Sequence, residues 1–298
     1  MIDSKLETLI AVSEVGSYTK AAERLSLTQP AVSQHIKALE KELGIKIFNR
    51  TENGIKPTPE GIIAIRYAKR IKALYITENQ RIADSKRNME SLIVGITHTA
   101  ESSTVGEALA HYAYKTPGLR ITIISDNIKN LYQKLEDYEL DLIVVEGRNI
   151  DPLYSSLLLD TDSLALVTAP DSPLGKKSMI SIDELKHQKM ILRGENSATR
   201  DLFERALHNN GLFLSDLNVI LEVDNIATIK ELVMKNIGVS VLARSACLDE
   251  ERSGKLKLLP IEGLGMIREV NLVYPKDFGH MAILNGIVEA YKEVNVRH

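Results

Sequence analysis

The segment from Thr28 to Gly44 constrains the fold of this 298-residue chain more than any other part of it. Thr28 is a typical helix N-cap, Pro30 is tolerated in a first helical turn, and glycine commonly ends a helix. Apolar residues recur at helical spacing along one side: Val32, Ile36, Leu39 and Leu43. The opposite side is polar apart from its first residue: Pro30, Ser33, Gln34, Lys37 and Lys41. This pattern predicts a helix that packs on a small domain and presents its polar face outward.

Two shorter helices are predicted before this one. Three apolar residues lie at helical spacing near the start of the chain: Leu6, Leu9 and Ile10. That helix is expected to end near Gly16, and Ser17 is a candidate N-cap for a second helix over Tyr18–Leu25. The helix over Tyr18–Leu25 and the helix after Thr28 are joined by a tight turn, and the later helix exposes Gln, Ser and Lys. This arrangement is typical of a helix-turn-helix that reads base edges. A solvated amphipathic helix is the simpler alternative.

The stretch after Gly44 predicts a small two-stranded wing. Asn53-Gly54 signals a tight turn. Arg50 and Lys56 flank this turn, where basic side chains contact the phosphate backbone. Thr58 is a candidate N-cap for the helix that follows.

These residues resemble the winged helix-turn-helix of the LysR-type transcriptional regulators. The resemblance rests on EVGSYTKAAERLSLTQPAVSQHIKALEKELGIKIFNR, which begins at Glu14, and on PTPEG, which ends at Gly61. Two positions depart from the family pattern: Asn53 replaces a second basic wing residue, and Pro57 replaces a leucine.

The resemblance implies a sequence-specific transcriptional regulator that binds double-stranded DNA. The residues expected at the DNA, in the major groove, near phosphate or in the wing, are Thr28, Gln29, Pro30, Ser33, Gln34, Lys37, Arg50 and Asn53.

A long helix is predicted next, because Gly61 is the only Gly or Pro between Pro59 and Arg87. Roughly 28 residues would give a rod of about 42 Å. A seam for a partner helix is expected along Gly61, Ala64, Ala68, Ile71, Tyr75 and Ile82. A single surface helix is the alternative. Pairing would place two recognition helices on an interrupted palindrome. The resemblance implies a homodimer through this linker helix, a homotetramer above it, and RNA polymerase as a further partner.

The rest of the chain predicts an α/β fold. Apolar segments suit strands at 92–96, 120–125, 141–145, 163–167, 190–192, 219–223, 239–242 and 269–274. Helical patterns lie at 104–115, 128–138, 199–208, 226–235 and 280–293. This alternation predicts a parallel sheet.

The resemblance implies a two-lobed effector domain similar to periplasmic binding proteins. The expected domains are 1–58 (winged helix-turn-helix), 59–88 (linker and dimerisation helix) and 89–298 (effector-binding). The expected lobes are about 89–160 with 267–298, and about 161–266.

Two hydroxyl-rich segments, 97–103 and 196–200, follow predicted strands where open α/β sheets bind ligands. Helix N-termini with free N–H groups favour a small anion, although plain N-capping explains each residue equally well. The family's effector cleft lies between the lobes. The candidates for effector contact are Thr97, His98, Thr99, Ser102, Ser103, Ser125, Asn127, Glu146, Ser197, Ala198 and Thr199.

Two carboxylates near these candidates, Glu101 and Glu146, argue against a simple dianion as the effector. A cationic part of the ligand is one partner for them. Basic side chains of the chain itself are the alternative partners: His98, Arg148 and Arg200.

The remaining composition gives little support to an enzyme. The chain has no GxSxG, P-loop or CxxC motif, and its seven His show no metal-ligand spacing. We therefore expect no catalytic residues, no metal and no cofactor, only a small-molecule effector. A small-molecule-binding or enzymatic α/β protein with an incidental helical N-terminus is the second hypothesis.

Charge is divided unevenly along the chain. Residues 1–88 carry 15 Lys/Arg and 10 Asp/Glu, against 22 and 30 in residues 89–298, so only the N-terminal part is expected to meet a polyanion. Cys247 is the single cysteine, which fits a reducing compartment, and a small core residue or a loop thiol is the expected role. No apolar run of about 18 residues suggests a membrane span. The expected location is the cytoplasm.

Overall fold

The computed structural model describes residues 3–51, 54–86 and 89–297. It divides into two compact units, one of Met1–Ser91 with Glu136–Glu139 and one of Leu92–Leu135 with Leu140–His298. In this described part of the chain, no helix is both long enough and apolar enough to cross a membrane.

The first unit is a winged helix-turn-helix followed by a long helix. Its elements are α1 (Ser4–Val15), α2 (Tyr18–Leu25), α3 (Gln29–Leu43), β1 (Phe48–Thr51), β2 (Gly54–Pro57) and α4 (Pro59–Ser85). Gly16 and Gly44 end α1 and α3 with φ values of 65° and 66°, in the left-handed region that favours glycine. Side chains of Ser17, Thr28 and Thr58 cap the helices that follow them, as the sequence predicts.

One face of α3 packs against α1 and α2 in a shared core. Val32, Ile36 and Leu39 are buried there. Leu43 is 51% exposed, so the prediction that the apolar stripe continues to the end of α3 is wrong: the last turn runs past the core.

The first turns of α4 belong to the same core. Gly61 and Ala68 are buried and Ala64 packs against the cluster. A Cβ at Gly61 would lie 2.1 Å from the carbonyl oxygen of Ile47, so the backbones approach too closely for any side chain. The predicted seam for a partner helix is therefore wrong over its first half, because these small residues pack within their own domain.

A different face of α4 is apolar and exposed. Five side chains on it have between 46% and 57% of their surface exposed: Ile63, Tyr67, Ile71, Leu74 and Ile82. Their spacing of three, four or eight residues places them on one side of the helix. We call this set the α4 stripe.

The second unit is an α/β domain. Its strands are β3 (Glu90–Thr97), β4 (Leu119–Asp126), β5 (Leu142–Glu146), β6 (Tyr154–Thr168), β7 (Lys189–Leu192), β8 (Asn218–Glu222), β9 (Ser240–Ala243), β10 (Lys257–Leu259) and β11 (Ile267–Pro275). Its helices are α5 (His98–Glu101), α6 (Val105–Lys115), α7 (Ile128–Glu136), α8 (Ile182–Lys186), α9 (Ala198–Asn209), α10 (Ile226–Met234), α11 (Leu248–Arg252) and α12 (Met281–Arg297).

One strand, β6, runs through both lobes of this domain. Its first part pairs with β11, and its last part pairs with β9 and β10. The main sheet has the order β10-β6-β11-β5-β3-β4, and β7 pairs with β8 separately.

The expected parallel sheet is correct for β3 and β5, which pair parallel, and wrong for β11, which returns antiparallel between β5 and β6. One lobe has apolar clusters that include residues of β3, β5 and β11, and the other has its own cluster around Phe203.

Candidate functional site

The outward face of α3 is polar and free of carboxylates over its first three turns. Gln29, Pro30, Gln34 and Lys37 are exposed, whereas Ser33 is half-buried. Ahead of the helix, the Thr28 hydroxyl accepts a hydrogen bond from the Ala31 N–H at 3.3 Å. Val32 is fully buried, which agrees with a packing role.

The wing lies beyond the end of α3. β1 and β2 pair antiparallel, with Arg50 opposite Ile55, and both Arg50 and Lys56 are exposed. Asn53, predicted at the DNA, lies outside the described residues.

Two residues that orient this surface escaped the sequence reasoning. The Glu40 carboxylate accepts a hydrogen bond from the Ile47 N–H at 2.9 Å, which ties the start of the wing to α3. The ring Nδ1 of His35 lies 2.8 Å from the Thr8 hydroxyl, which joins α3 to α1. A polar residue among the packing positions of α3 is the signal that points to such a role.

In the second unit, the ends of β3, β4 and β5 meet at one edge of the sheet, as parallel strands followed by helices do. Three cavities open there, of about 90, 180 and 440 Å³, and Glu146 at the end of β5 lines all three. The larger two also reach the β6 and β11 crossings between the lobes: Thr161 lines both.

Most of the effector candidates meet at these cavities. The lining residues among them are Thr97, His98, Thr99, Ser103, Asn127, Glu146, Ser197 and Ala198. Thr199 is buried, and its hydroxyl lies 3.4 Å from that of Thr99. Ser102 and Ser125 line none of these three cavities; the Ser102 hydroxyl instead donates to the carbonyl oxygen of His98.

Two buried arginines form part of the site and were not foreseen. Arg193 follows β7, has 4% of its surface exposed, and its Nε and Nη1 have no hydrogen-bond partner among the described residues. Burial lowers the pKa of the Arg193 guanidinium, while the charges of Asp224 and Glu146 act in the opposite direction. An arginine directly after a buried apolar strand is the sequence signal that could have indicated it.

Arg268, at the start of β11, joins the two lobes. Its Nη2 lies 3.4 Å from Asp162 on β6 and 3.9 Å from Glu146, and its Nη1 donates to the Thr199 hydroxyl at 3.4 Å. Asp162 also accepts hydrogen bonds from the Ser245 hydroxyl and N–H. A ligand that contacts this network therefore contacts residues of both lobes.

The predicted partners of the carboxylates are mostly different. His98 lies 3.5 Å from Glu101, as one alternative had it. Arg148 forms an ion pair with Glu269. Arg200 forms ion pairs with Glu204 and Glu222. Neither arginine therefore pairs with Glu146. Instead, one oxygen of Glu146 accepts a hydrogen bond from Thr97 at 2.7 Å, and the other has no partner among the described residues.

These features define a class of protein: a winged helix-turn-helix joined to a two-lobed α/β domain. Two protein-family models match this chain. The family described as bacterial regulatory helix-turn-helix protein, lysR family, matches residues 4–62, and the family described as LysR substrate binding domain matches residues 85–295. The chain belongs to the LysR family of transcriptional regulators. It is a DNA-binding regulator with an effector-binding domain, and the family is not one of enzymes.

Known proteins similar to the chain agree with this assignment. An HTH-type transcriptional regulator of Methanocaldococcus jannaschii is 31% identical over 91% of this chain and 91% of its own length. The HTH-type transcriptional regulator CbbR of Xanthobacter flavus is 29% identical over 92% of this chain and 81% of its own. The solved structure of full-length CbnR complexed with its target DNA has a TM-score of 0.71 at 19% identity and covers 99% of this chain and 100% of that one. That likeness shows the fold.

Proposed function

We propose that this regulator reads duplex DNA with the outward face of α3 and the wing, as a homodimer, under control of a small effector with an anionic group. The observation that carries the proposal is the exposed, carboxylate-free face of α3 together with the exposed basic side chains of the wing, Arg50 and Lys56. Gln34 and Ser33 supply groups for base edges, and Lys37 and Arg50 supply charge for phosphate or guanine. Thr28, Gln29 and Pro30 complete this surface, and Asn53 is proposed for the wing from sequence alone.

The homodimer is supported by the α4 stripe. Apolar side chains that are half exposed along one face of a long helix are stabilised when a second copy packs against them and removes their surface from water. A pair of α4 helices presents two α3 helices to one face of DNA, which suits an interrupted palindrome.

The effector site is supported by the cavities around Glu146. The buried guanidinium of Arg193, whose Nε and Nη1 have no hydrogen-bond partner among the described residues, attracts an anion, and the first turn of α9 adds free N–H groups. An effector bound there touches both lobes, and it changes DNA binding only by its difference in affinity between two arrangements of the protein.

Further parts of the proposal rest on the family resemblance. The domain division 1–58, 59–88 and 89–298, with lobes about 89–160 plus 267–298 and about 161–266, remains our proposal, as do a homotetramer and contact with RNA polymerase. The matching family model is one of bacterial regulators, and a bacterial chromosome lies in the cytoplasm, so we propose the cytoplasm as the location.

The test is a genome-wide footprint of the purified full-length protein. We expect protected sites with half-sites separated by one helical turn or a multiple of it, and affinity that falls steeply with salt. Neighbouring genes would then indicate the pathway and the effector. Binding to all duplexes with equal affinity, or no salt-sensitive binding, would end the proposal.

A further inference from the structure

The cleft holds unpaired buried atoms of both charges. Glu146 has 8% of its surface exposed, and its Oε2 has no hydrogen-bond partner among the described residues. The Nε and Nη1 of Arg193 and the Nε of Arg268 are buried and unpartnered in the same way. Buried polar groups are normally satisfied, so a set of unsatisfied donors beside an unsatisfied acceptor points to a ligand that supplies partners for both.

The charges around Arg193 exclude a simple dianion. Three carboxylates line the same cavity as Arg193: Asp126, Glu146 and Asp224. Burial raises the pKa of Asp126, but hydrogen bonds from Lys134, Asn130 and the Asn127 N–H outweigh burial and lower this pKa overall. Lys134 Nζ lies 2.8 Å from Asp126 Oδ2, so this carboxylate already has a positive partner.

Arg268 does not supply the missing positive charge, because it faces Asp162 as well as Glu146. Two carboxylates therefore remain beside one guanidinium. An added dianion would be repelled by them, whereas a ligand with one negative and one positive group would not.

The N-terminus of α9 supplies donors on the same side as Arg193. This helix has 12 residues, and the Ser197 side chain at its N-cap makes no capping hydrogen bond, although Ser197 is buried. Ser197, Ala198 and Arg193 line one cavity. A carboxylate there would meet the guanidinium, the free hydroxyl and the first N–H groups of α9.

We propose that the effector is a small zwitterion of the amino-acid class. Its carboxylate binds Arg193 and the first turn of α9, and its ammonium binds Glu146 and Asp224. The inference rests on the proposed effector site and specifies its ligand. The cavity of about 90 Å³ has room for several water molecules, and hence for such a charged head. The rest of the molecule extends past Glu146 into the cavity of about 440 Å³, which Leu202 and Ile267 line.

The test compares each proteinogenic L-amino acid with its counterpart lacking the ammonium and its counterpart lacking the carboxylate. Full-length protein is screened by thermal shift at millimolar ligand, and hits are measured by titration calorimetry. We expect at least one amino acid to bind, and both of its counterparts to bind at least about tenfold more weakly, because each loses a charged hydrogen bond. The proposal is overturned if no amino acid binds, or if the counterpart without the ammonium binds equally well.

A pair of variants assigns the ammonium to its partner. Glu146→Gln should weaken binding of the amino acid at least about tenfold, whereas binding of its ammonium-free counterpart should not weaken and should rise, because the glutamine no longer repels that anion. Glu231→Gln, an exposed carboxylate on α10, is the matched control and should leave binding as in the parent. Equal affinity in Glu146→Gln and the parent would contradict the assignment. If Glu146→Gln does not fold, the ligand series on the parent protein decides the question alone.

DNA binding by the same preparation separates two kinds of failure. If the protein binds DNA and a dicarboxylate binds the cleft in place of amino acids, the proposed function stands and the zwitterion is wrong. If DNA binding also fails, the proposed function fails with it.

Discussion

At the scale of single residues, buried polar side chains mark the site more clearly than exposed ones. Arg193, Arg268 and Glu146 are nearly inaccessible and yet keep unpaired atoms. The hydroxyls chosen from the sequence are in part engaged in capping: Thr97, for example, accepts from the Ala100 N–H and donates to Glu146. Such hydroxyls hold the acidic and basic groups in place, and those groups determine what charge the cleft accepts.

Cys247 should be chemically inert in the native protein. It is fully buried, and burial raises the pKa of its thiol to about 12. The thiol is therefore protonated at pH 8, and the reactive thiolate is almost absent. A chromogenic disulfide reagent at pH 8 should label it only after denaturant is added. Rapid labelling of the folded protein would contradict this prediction.

Gly61 should tolerate no side chain. In Gly61→Ala the new Cβ would meet the Ile47 carbonyl at 2.1 Å, so the start of α4 must shift, and we expect a loss of about 1–3 kcal/mol in the free energy of unfolding. Chemical denaturation measures it. Gly106→Ala is the control: nothing lies within 4 Å of its Cβ, so stability should stay equal or rise by up to about 1 kcal/mol through helix propensity. Equal stabilities of the two variants would show that the close approach is not tight.

At the scale of elements, each helix of the first unit is divided between a packed face and a free face. α3 buries Val32 and Ile36 and presents Gln34 and Lys37. α4 buries its small residues on the wing domain and leaves the α4 stripe free. The predictions for DNA reading and for pairing belong to these two faces.

The free face of α3 should read sequence through Gln34. Gln34→Ala is expected to cost about 1–3 kcal/mol of discrimination at one base position and little elsewhere, because a glutamine pairs with a base edge. Selection from random duplexes measures the change. Gln80→Ala, at an exposed position of α4, is the matched control. If the Gln34→Ala protein keeps the parent's base preference at every position, the placement of α3 in the major groove is wrong.

Lys37 and Arg50 should act through charge. Removing either one is expected to weaken binding to all duplexes and to lower the salt slope by about 1, since one phosphate contact is lost. Affinities at several salt concentrations measure the slope. An unchanged slope would place these side chains away from the DNA.

The α4 stripe should hold the dimer. Leu74→Glu buries a charge in the paired helices and loses about 1 kcal/mol of apolar burial in each copy, since Leu74 is already half buried in the single chain, so we expect dissociation into monomers. Sedimentation velocity over a range of concentrations measures it. Ile76→Glu is the control, because Ile76 is 56% exposed but lies off the stripe. Should both variants stay dimeric, α4 pairing is not the interface.

At the scale of the whole molecule, the chain is built from two units with separate cores. Separate cores need not unfold together, so we expect the calorimetric enthalpy of thermal unfolding to exceed the van't Hoff value. Target DNA should raise the unfolding temperature of the winged unit, because DNA binds only its folded state. A single transition with equal enthalpies would show that the units unfold as one.

The sequence alone determined the helices and caps of the first unit and most strands of the second, because these depend on local spacing and on residues such as Ser17, Gly44 and Thr58. It also indicated the family, through a long run of fixed spacings. It did not indicate the first part of β6, or β10, α8 and α11, which are short or lack a clear periodic pattern. Tertiary structure decided which surfaces are used. The small residues of α4 pack inward because Ile47 lies against Gly61, and β11 turns antiparallel because the chain crosses back between the lobes. Arg268 reaches Glu146 from a distant segment, and Arg193, from another, lines the same cavity as Glu146. Contacts between residues far apart in the chain leave no periodic pattern, so burial and pairing of these charges become visible only in the folded molecule.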